Sequence, residues 1–285
     1  MKRELLSVKN VCFGYDDKAI LKNVSLSIYY GEKIAVMGPN GAGKSTFLLN
    51  INGVLTPDEG EIFLEGNEIN KKNISNLRKN VGFVFQNADD QIIASTVRTE
   101  ISFGPMNLKL PKDEVKNRVE NAMDYLDLTK MADRPPHYLS GGEKKRVSIA
   151  DIIAMKAKIM IFDEPMSALD NINSENVENI LNNLHDDGTT LVVATHDTDF
   201  AYRFADRIII FMEGNVIADG VPDEIFSDDS ILKTAHLKKP LLLEINKALQ
   251  QYGILDKCET APKNIKQMIK MINAIKKTKG EYENE

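Results

Sequence analysis

At 285 residues, 42% of them hydrophobic and 27% charged, the chain has the length and composition of a globular protein of one or two domains. A net charge of −6 argues against a non-specific nucleic-acid binder, although a local basic patch is compatible with that total. No apolar run approaches the ~18–20 residues of a membrane span, so any work at a membrane would need a partner that crosses it.

The opening Met1-Lys2-Arg3-Glu4-Leu5-Leu6 lacks the apolar stretch of a secretory signal. Cys12 and Cys258 stand far apart with no C-x-x-C pairing, as expected of reduced thiols in a cytoplasmic protein. Leu6 to Tyr15, Val24 to Tyr29 and Glu61 to Leu64 alternate apolar and polar residues, which predicts antiparallel strands with turns at Asp16-Asp17 and Glu65-Gly66. Ile34 to Met37 is a short apolar strand ending in glycine, and Gly43 to Ile51 carries a helical pattern. Strand, glycine-rich loop and helix in that order predict an α/β fold with a mostly parallel sheet.

The loop between them, Gly38-Pro39-Asn40-Gly41-Ala42-Gly43-Lys44-Ser45, fits G-x-x-x-x-G-K-[ST]. Its glycines let successive N–H groups face one concavity that takes phosphate oxygens, and the positive end of the next helix adds attraction. Lys44 supplies a cation for the β- and γ-phosphates of ATP. The Ser45 hydroxyl is placed for Mg²⁺, and Thr46 adds a further donor. The bland alternative is a glycine turn beside a surface lysine; the flanking strand and helix favour the phosphate loop.

From about Thr96 to Ala154 a helical insert is expected. Lys112 to Leu128 is amphipathic, with Val115, Val119, Ala122, Met123 and Leu126 on one face, and another helix opens at Ser140-Gly141-Gly142. Strands return with Ile159 to Phe162, Leu191 to Ala194 and Ile208 to Met212, separated by the polar helix Asn173 to His185. The first of these ends in Asp163-Glu164, at the strand end where open α/β sheets bind ligands. Asp163 is then a direct or outer partner of Mg²⁺, and Glu164 is a base for the attacking water. A strand ending in solvated acids is the plainer alternative. After Gly220 helices resume, and Ile265, Met268, Ile269, Ile272 and Ile275 form an apolar stripe among lysines. The four histidines, His137, His185, His196 and His236, form no metal-ligand cluster.

Leu139-Ser140-Gly141-Gly142-Glu143 is a second phosphate-binding helix start, and one ATP has little use for two from the same chain. The segment resembles the signature motif of ABC ATPases, in which one subunit's signature covers the γ-phosphate bound by another. Other positions resemble that family in order. Tyr15 matches the aromatic that stacks on adenine, and Gln86 matches the Q-loop glutamine at Mg²⁺ and water. Ser167-Ala168-Leu169-Asp170 matches the D-loop, and His196 matches the switch histidine near the γ-phosphate. Singly each has a plainer reading: Tyr15 as a strand aromatic, Gln86 and His196 as surface residues, Asp170 as a helix N-cap.

The resemblance, over roughly residues 5–225, implies a P-loop NTPase with a RecA-like core, an antiparallel β subdomain and the helical insert at about 96–154. It implies a cassette over 1–220 and a helical extension over 221–285, with ATP and Mg²⁺ as cofactors. Ser45, Gln86 and Asp163 are the implied metal positions. Val84-Phe85-Gln86-Asn87-Ala88-Asp89-Asp90-Gln91 is more narrowly similar to the Q-loop of cobalt-type energy-coupling-factor ATPases, except that Ala88 stands where that group typically has proline. Thr96-Val97, Glu100 to Pro105 and Leu237 to Pro240 continue the likeness. Such ATPases sit peripherally on the cytoplasmic face of the cell membrane and drive importers of cobalt, nickel or vitamins. Their partners are a second ATPase, as a copy or a paralogue, a transmembrane coupling protein and a substrate-binding membrane subunit; nucleic acid is not among them. The chief rival is a soluble single-cassette ATPase of iron–sulfur assembly. A small-molecule P-loop kinase would leave Ser140-Gly141-Gly142 and His196 without roles.

Overall fold

A computed structural model describes residues 2–16, 18–255 and 261–282, with side chains described through 274. Asp17, Cys258 and the side chain of Ile275 lie outside the described residues. The chain opens with β1 (Glu4–Tyr15), β2 (Lys18–Tyr29), β3 (Lys33–Met37), α1 (Lys44–Asn52), β4 (Glu59–Leu64), β5 (Asn67–Glu68), α2 (Ile74–Asn80) and β6 (Val81–Val84). The helical insert holds α3 (Val97–Asn107), α4 (Lys112–Tyr125) and α5 (Gly141–Met155). Next come β7 (Ile159–Asp163), α6 (Asn171–Asp186), β8 (Thr190–Ala194), α7 (Thr198–Phe204), β9 (Arg207–Met212) and β10 (Asn215–Gly220). Among the described residues, four helices follow: α8 (Pro222–Ile225), α9 (Asp229–Thr234), α10 (Leu241–Gln251) and α11 (Ile265–Tyr282).

Two sheets form. β2-β1-β4-β5 is antiparallel, while β10-β9-β3-β8-β7-β6 is parallel except for the β9–β10 hairpin at its edge. Neighbouring residues of a strand face opposite sides, so a strand covered on both faces has to be apolar throughout. β3 shows this directly. Ala35 and Met37 join the core shared with the helical insert, whereas Ile34 and Val36 join the core shared with α1 and the antiparallel sheet. In β7, Met160 and Phe162 divide from Ile159 and Ile161 in the same way. The sheet is therefore held from both sides, and its carboxyl ends are fixed where the motif residues sit.

α4 buries Val119, Ala122 and Met123 on the expected face, with Val115 partly buried beside them. It ends at Tyr125 rather than Leu128, because Asp127 takes a left-handed φ of +54°. The helices after 220 are not a separate body: Phe226, Leu232, Ala235 and Leu243 belong to the same core as the helical insert. On α11 the apolar stripe is largely uncovered. Met268 is buried, but Ile265, Ile269 and Ile272 are exposed.

Candidate active site

β3 stops at Met37 and the chain turns at Gly38, whose φ is +136°. A Cβ here would lie 2.1 Å from the carbonyl oxygen of Phe211 on β9, so only glycine fits. Gly43 takes a φ of +103° immediately before α1, which begins at Lys44 with no side chain capping its first turn. The first N–H groups of the helix are thus left for an anion. Lys44 is 7% exposed, and its Nζ donates to the carbonyls of Gly38 at 2.8 Å and Pro39 at 3.1 Å. Burial pushes its pKa down, and the nearby Glu164 and Asp163 carboxylates oppose that push.

The loop forms one wall of a cleft of about 1070 Å³ that also holds Gln86, Asp163, Glu164 and His196. Asp163 ends β7, and Glu164 follows it with a φ of +46°, a conformation that strains a non-glycine residue by about 1–3 kcal/mol. Two contacts hold it there. Its N–H donates to the carbonyl of Ala194 at 3.0 Å, and its Oε2 lies 2.9 Å from Nδ1 of His196. The His196 side chain is otherwise 73% exposed. The chain turns into α7 just after it, where Asp197 accepts from the N–H of Phe200 at 2.9 Å.

Gln86 follows β6 and donates its Nε2 to the Ser167 hydroxyl at 3.2 Å, while its Oε1 makes no hydrogen bond among the described residues and can accept a cation. Ser45, Gln86 and Asp163 all line the cleft and offer hydroxyl, amide and carboxylate oxygens. That all-oxygen set suits Mg²⁺, which when bound would draw charge from the phosphate oxygens.

The second glycine motif lies elsewhere. Ser140 caps α5 by accepting from the N–H of Glu143 at 3.3 Å, and Glu143 accepts from the N–H of Ser140 at 2.7 Å. That reciprocal bonding, first through the backbone of Ser140, holds the Glu143 carboxyl below its usual pKa. Gly142 packs against α6, where a Cβ would meet Oδ1 of Asn173 at 2.2 Å, while Gly141 faces open space. Asp170 caps α6 through the N–H of Asn173 at 2.8 Å.

The structure therefore gathers Gly38, Pro39, Asn40, Gly41, Gly43, Lys44, Ser45 and Thr46 with Gln86, Asp163, Glu164 and His196 around one cleft. Ser140, Gly141, Gly142 and Asp170 are not among its lining, and Ala42 is buried beneath the loop. Tyr15 is also absent from the lining. It sits 47% exposed at the end of β1, edge-on to Phe13 with ring centroids 5.0 Å apart. Lys18 and Ile20 of β2 stand in the cleft wall, as do His236, Leu237 and Lys238. The last three belong to the helical extension after 220. They are tied in by Leu241, whose N–H donates to Asp199 on α7 at 2.7 Å.

A family model for the ABC transporter matches residues 21–167. The energy-coupling factor transporter ATP-binding protein EcfA of Methanocaldococcus jannaschii is 40% identical over 250 residues, which is 87% of this chain and 90% of that protein. The chain belongs to the ABC transporter ATPases. EcfA2 of Methanospirillum hungatei is 42% identical over 94% of this chain and 68% of its own length. Among solved structures, cbiO1 of Clostridium perfringens, described as part of the ABC transporter complex cbiONQ, superposes with a TM-score of 0.73 at 35% identity. The match covers 86% of this chain and all of that one. A cassette solved as a dimer after hydrolysis, with ADP and Pi bound, gives a TM-score of 0.68 at 32% identity over 76% of this chain and 99% of that one. As an ABC ATPase this chain binds and hydrolyses ATP, and it resembles the energy-coupling-factor type.

Proposed function

We propose that the chain powers an energy-coupling-factor importer from the cytoplasmic face of the membrane, as one of two ATPase subunits that close around ATP. The observation that carries this reading is the separation of the two phosphate-binding helix starts: α1 opens on the nucleotide cleft, whereas the signature start of α5 does not line it. The Ser140-Gly141-Gly142 cradle is then free for the nucleotide of a second copy or paralogue, with Asp170 at the same contact. Within the cleft, Lys44 and the loop N–H groups hold the phosphates, and Glu164 takes the proton of the attacking water. His196 holds the Glu164 carboxylate in place through the 2.9 Å contact.

The segment after Gln86 is read as the face toward a transmembrane coupling protein, supported by exposed Ile93, Phe103 and Met106. A substrate-binding membrane subunit would hold the cargo, a cobalt or nickel ion or a vitamin. The relatives named for energy coupling at about 40% identity favour this over iron–sulfur assembly.

Mixing two inactive variants tests the shared site. Lys44→Ala and Ser140→Arg should each abolish turnover, the second by placing a bulky cation where the γ-phosphate meets the helix start. In mixed dimers one site is doubly broken and the other is intact, so hydrolysis or ATP-dependent pairing should return. Verified heterodimers with neither property would refute the shared site. For a paralogous pair, one substitution goes on each chain.

A further inference from the structure

Lys145 lies on α5 within two turns of the signature and is 2% exposed, yet no nucleotide role falls to it. Its Nζ donates to the carbonyl of Phe85 at 2.9 Å and to that of Gln86 at 2.7 Å. Its neighbours tie the same segment from the other end. Lys144 Nζ pairs with Asp89 Oδ1 at 2.6 Å, and Gln91 Nε2 donates to the Ser148 carbonyl at 3.1 Å. Gln91 also accepts from the N–H of Phe85 at 3.3 Å, closing residues 85–91 on themselves.

Three successive contact points on one helix therefore fasten the backbone on both sides of Gln86. A buried ammonium is costly unless well compensated, and two carbonyls occupy only two of its three donors. An apolar side chain would leave the Phe85 and Gln86 carbonyls without this donor, so the ammonium serves to hold that stretch of backbone.

We propose that Lys145 is a positioning residue that locks the Gln86 segment to the signature helix. The proposal rests on the shared-site reading. Gln86 faces this chain's own nucleotide, and Ser140-Gly141-Gly142 faces the partner's. With α5 rising about 1.5 Å per residue as a rigid rod, a shift of the Gln86 backbone reaches the signature within about one turn. The lock lets occupancy at one composite site set the geometry of the other, with this chain's two halves moving together.

The test uses the full chain, paired with itself or its native partner subunit, and four readouts: melting temperature, fluorescent-ATP affinity of the single chain, ATP-dependent pairing, and the ATP dependence of hydrolysis. Lys145→Met keeps the apolar stem but removes the ammonium and its bonds to both carbonyls. It should bind ATP within about twofold of the parent, lose about tenfold or more in kcat, and lose cooperativity between sites. Lys145→Gln, whose amide still donates to the carbonyls, should recover much of that loss. A second route leaves Lys145 intact: Asp89→Lys should lower cooperativity, and adding Lys144→Asp should restore it by reversing the ion pair. A folded Lys145→Met chain with parental kcat and cooperativity would overturn the lock. So would a kcat loss matched by equal loss of ATP affinity. If Lys145→Met does not fold, failure of the Asp89–Lys144 swap to restore cooperativity overturns it. A parent chain that binds ATP but never pairs would instead sink the shared-site reading.

Discussion

Glu164 carries two burdens at once: a left-handed backbone and a carboxylate fixed beside His196. Strain of this kind persists where surrounding contacts over-determine it, and here the Ala194 carbonyl and the His196 ring do so. Glu164→Gln keeps the shape and removes only the capacity to take a proton. It should hold ATP affinity near the parental value while kcat falls by roughly 100-fold or more. Pairs of subunits should then persist around unhydrolysed ATP in size-exclusion runs. Hydrolysis at the parental rate would take the base role from Glu164 and give it to Asp163 or His196. At this scale the sequence was informative wherever chemistry requires a residue type: the loop glycines, Lys44 and the acid pair all stand around the cleft. Lys18 and His236 to Lys238 carry no local signal, because only the folding of distant segments brings them to the phosphate loop.

Elements that were apolar without interruption, such as Ile159 to Phe162, were legible as buried strands. β6 was not, and Gly82 explains why. A Cβ there would meet Ile152 of α5 at 2.0 Å, so the close approach of the helix demands a glycine that breaks the strand pattern. The α3–α5 contact holds a further feature that spacing does not reveal. Burial pushes the Asp151 carboxyl up to about 7, with Glu100 on α3 adding to the push. Its Oδ1 has no hydrogen-bond partner among the described residues. The folded chain thus keeps a proton that the unfolded chain releases above its ordinary pKa near 3.8. The contribution of Asp151 to stability should be fullest below that value and decline as pH rises toward about 7, levelling beyond it. Asp151→Asn is neutral throughout and should flatten this dependence, stabilising the fold at about pH 8 by on the order of 1–3 kcal/mol relative to the parent. Urea unfolding at about pH 5 and about pH 8 measures it. A variant that keeps the parental slope would assign the pH dependence to other groups.

Across the whole molecule, the extension is joined to the cassette at one end and left open at the other. Residues up to Leu243 share its core and reach the cleft through His236 to Lys238, whereas α11 presents Ile265, Ile269 and Ile272 to solvent. Two truncations separate these halves. Ending the chain after Gly220 removes Phe226, Leu232 and Ala235 from the core along with the cleft wall, so both melting temperature and ATP affinity should fall. Ending it after Ala261 removes α11 together with Lys263 and its contacts to Asp223 and Tyr202, and should leave the ATP affinity of the single chain unchanged. If the matching helix of a second subunit covers the stripe, each isoleucine it buries contributes about 1.5–3 kcal/mol at full burial. Loss of α11 should then weaken pairing by roughly tenfold or more, measured by analytical ultracentrifugation with and without ATP. A shortened chain that pairs as tightly as the full one would show that the stripe does not serve the contact between the two ATPases.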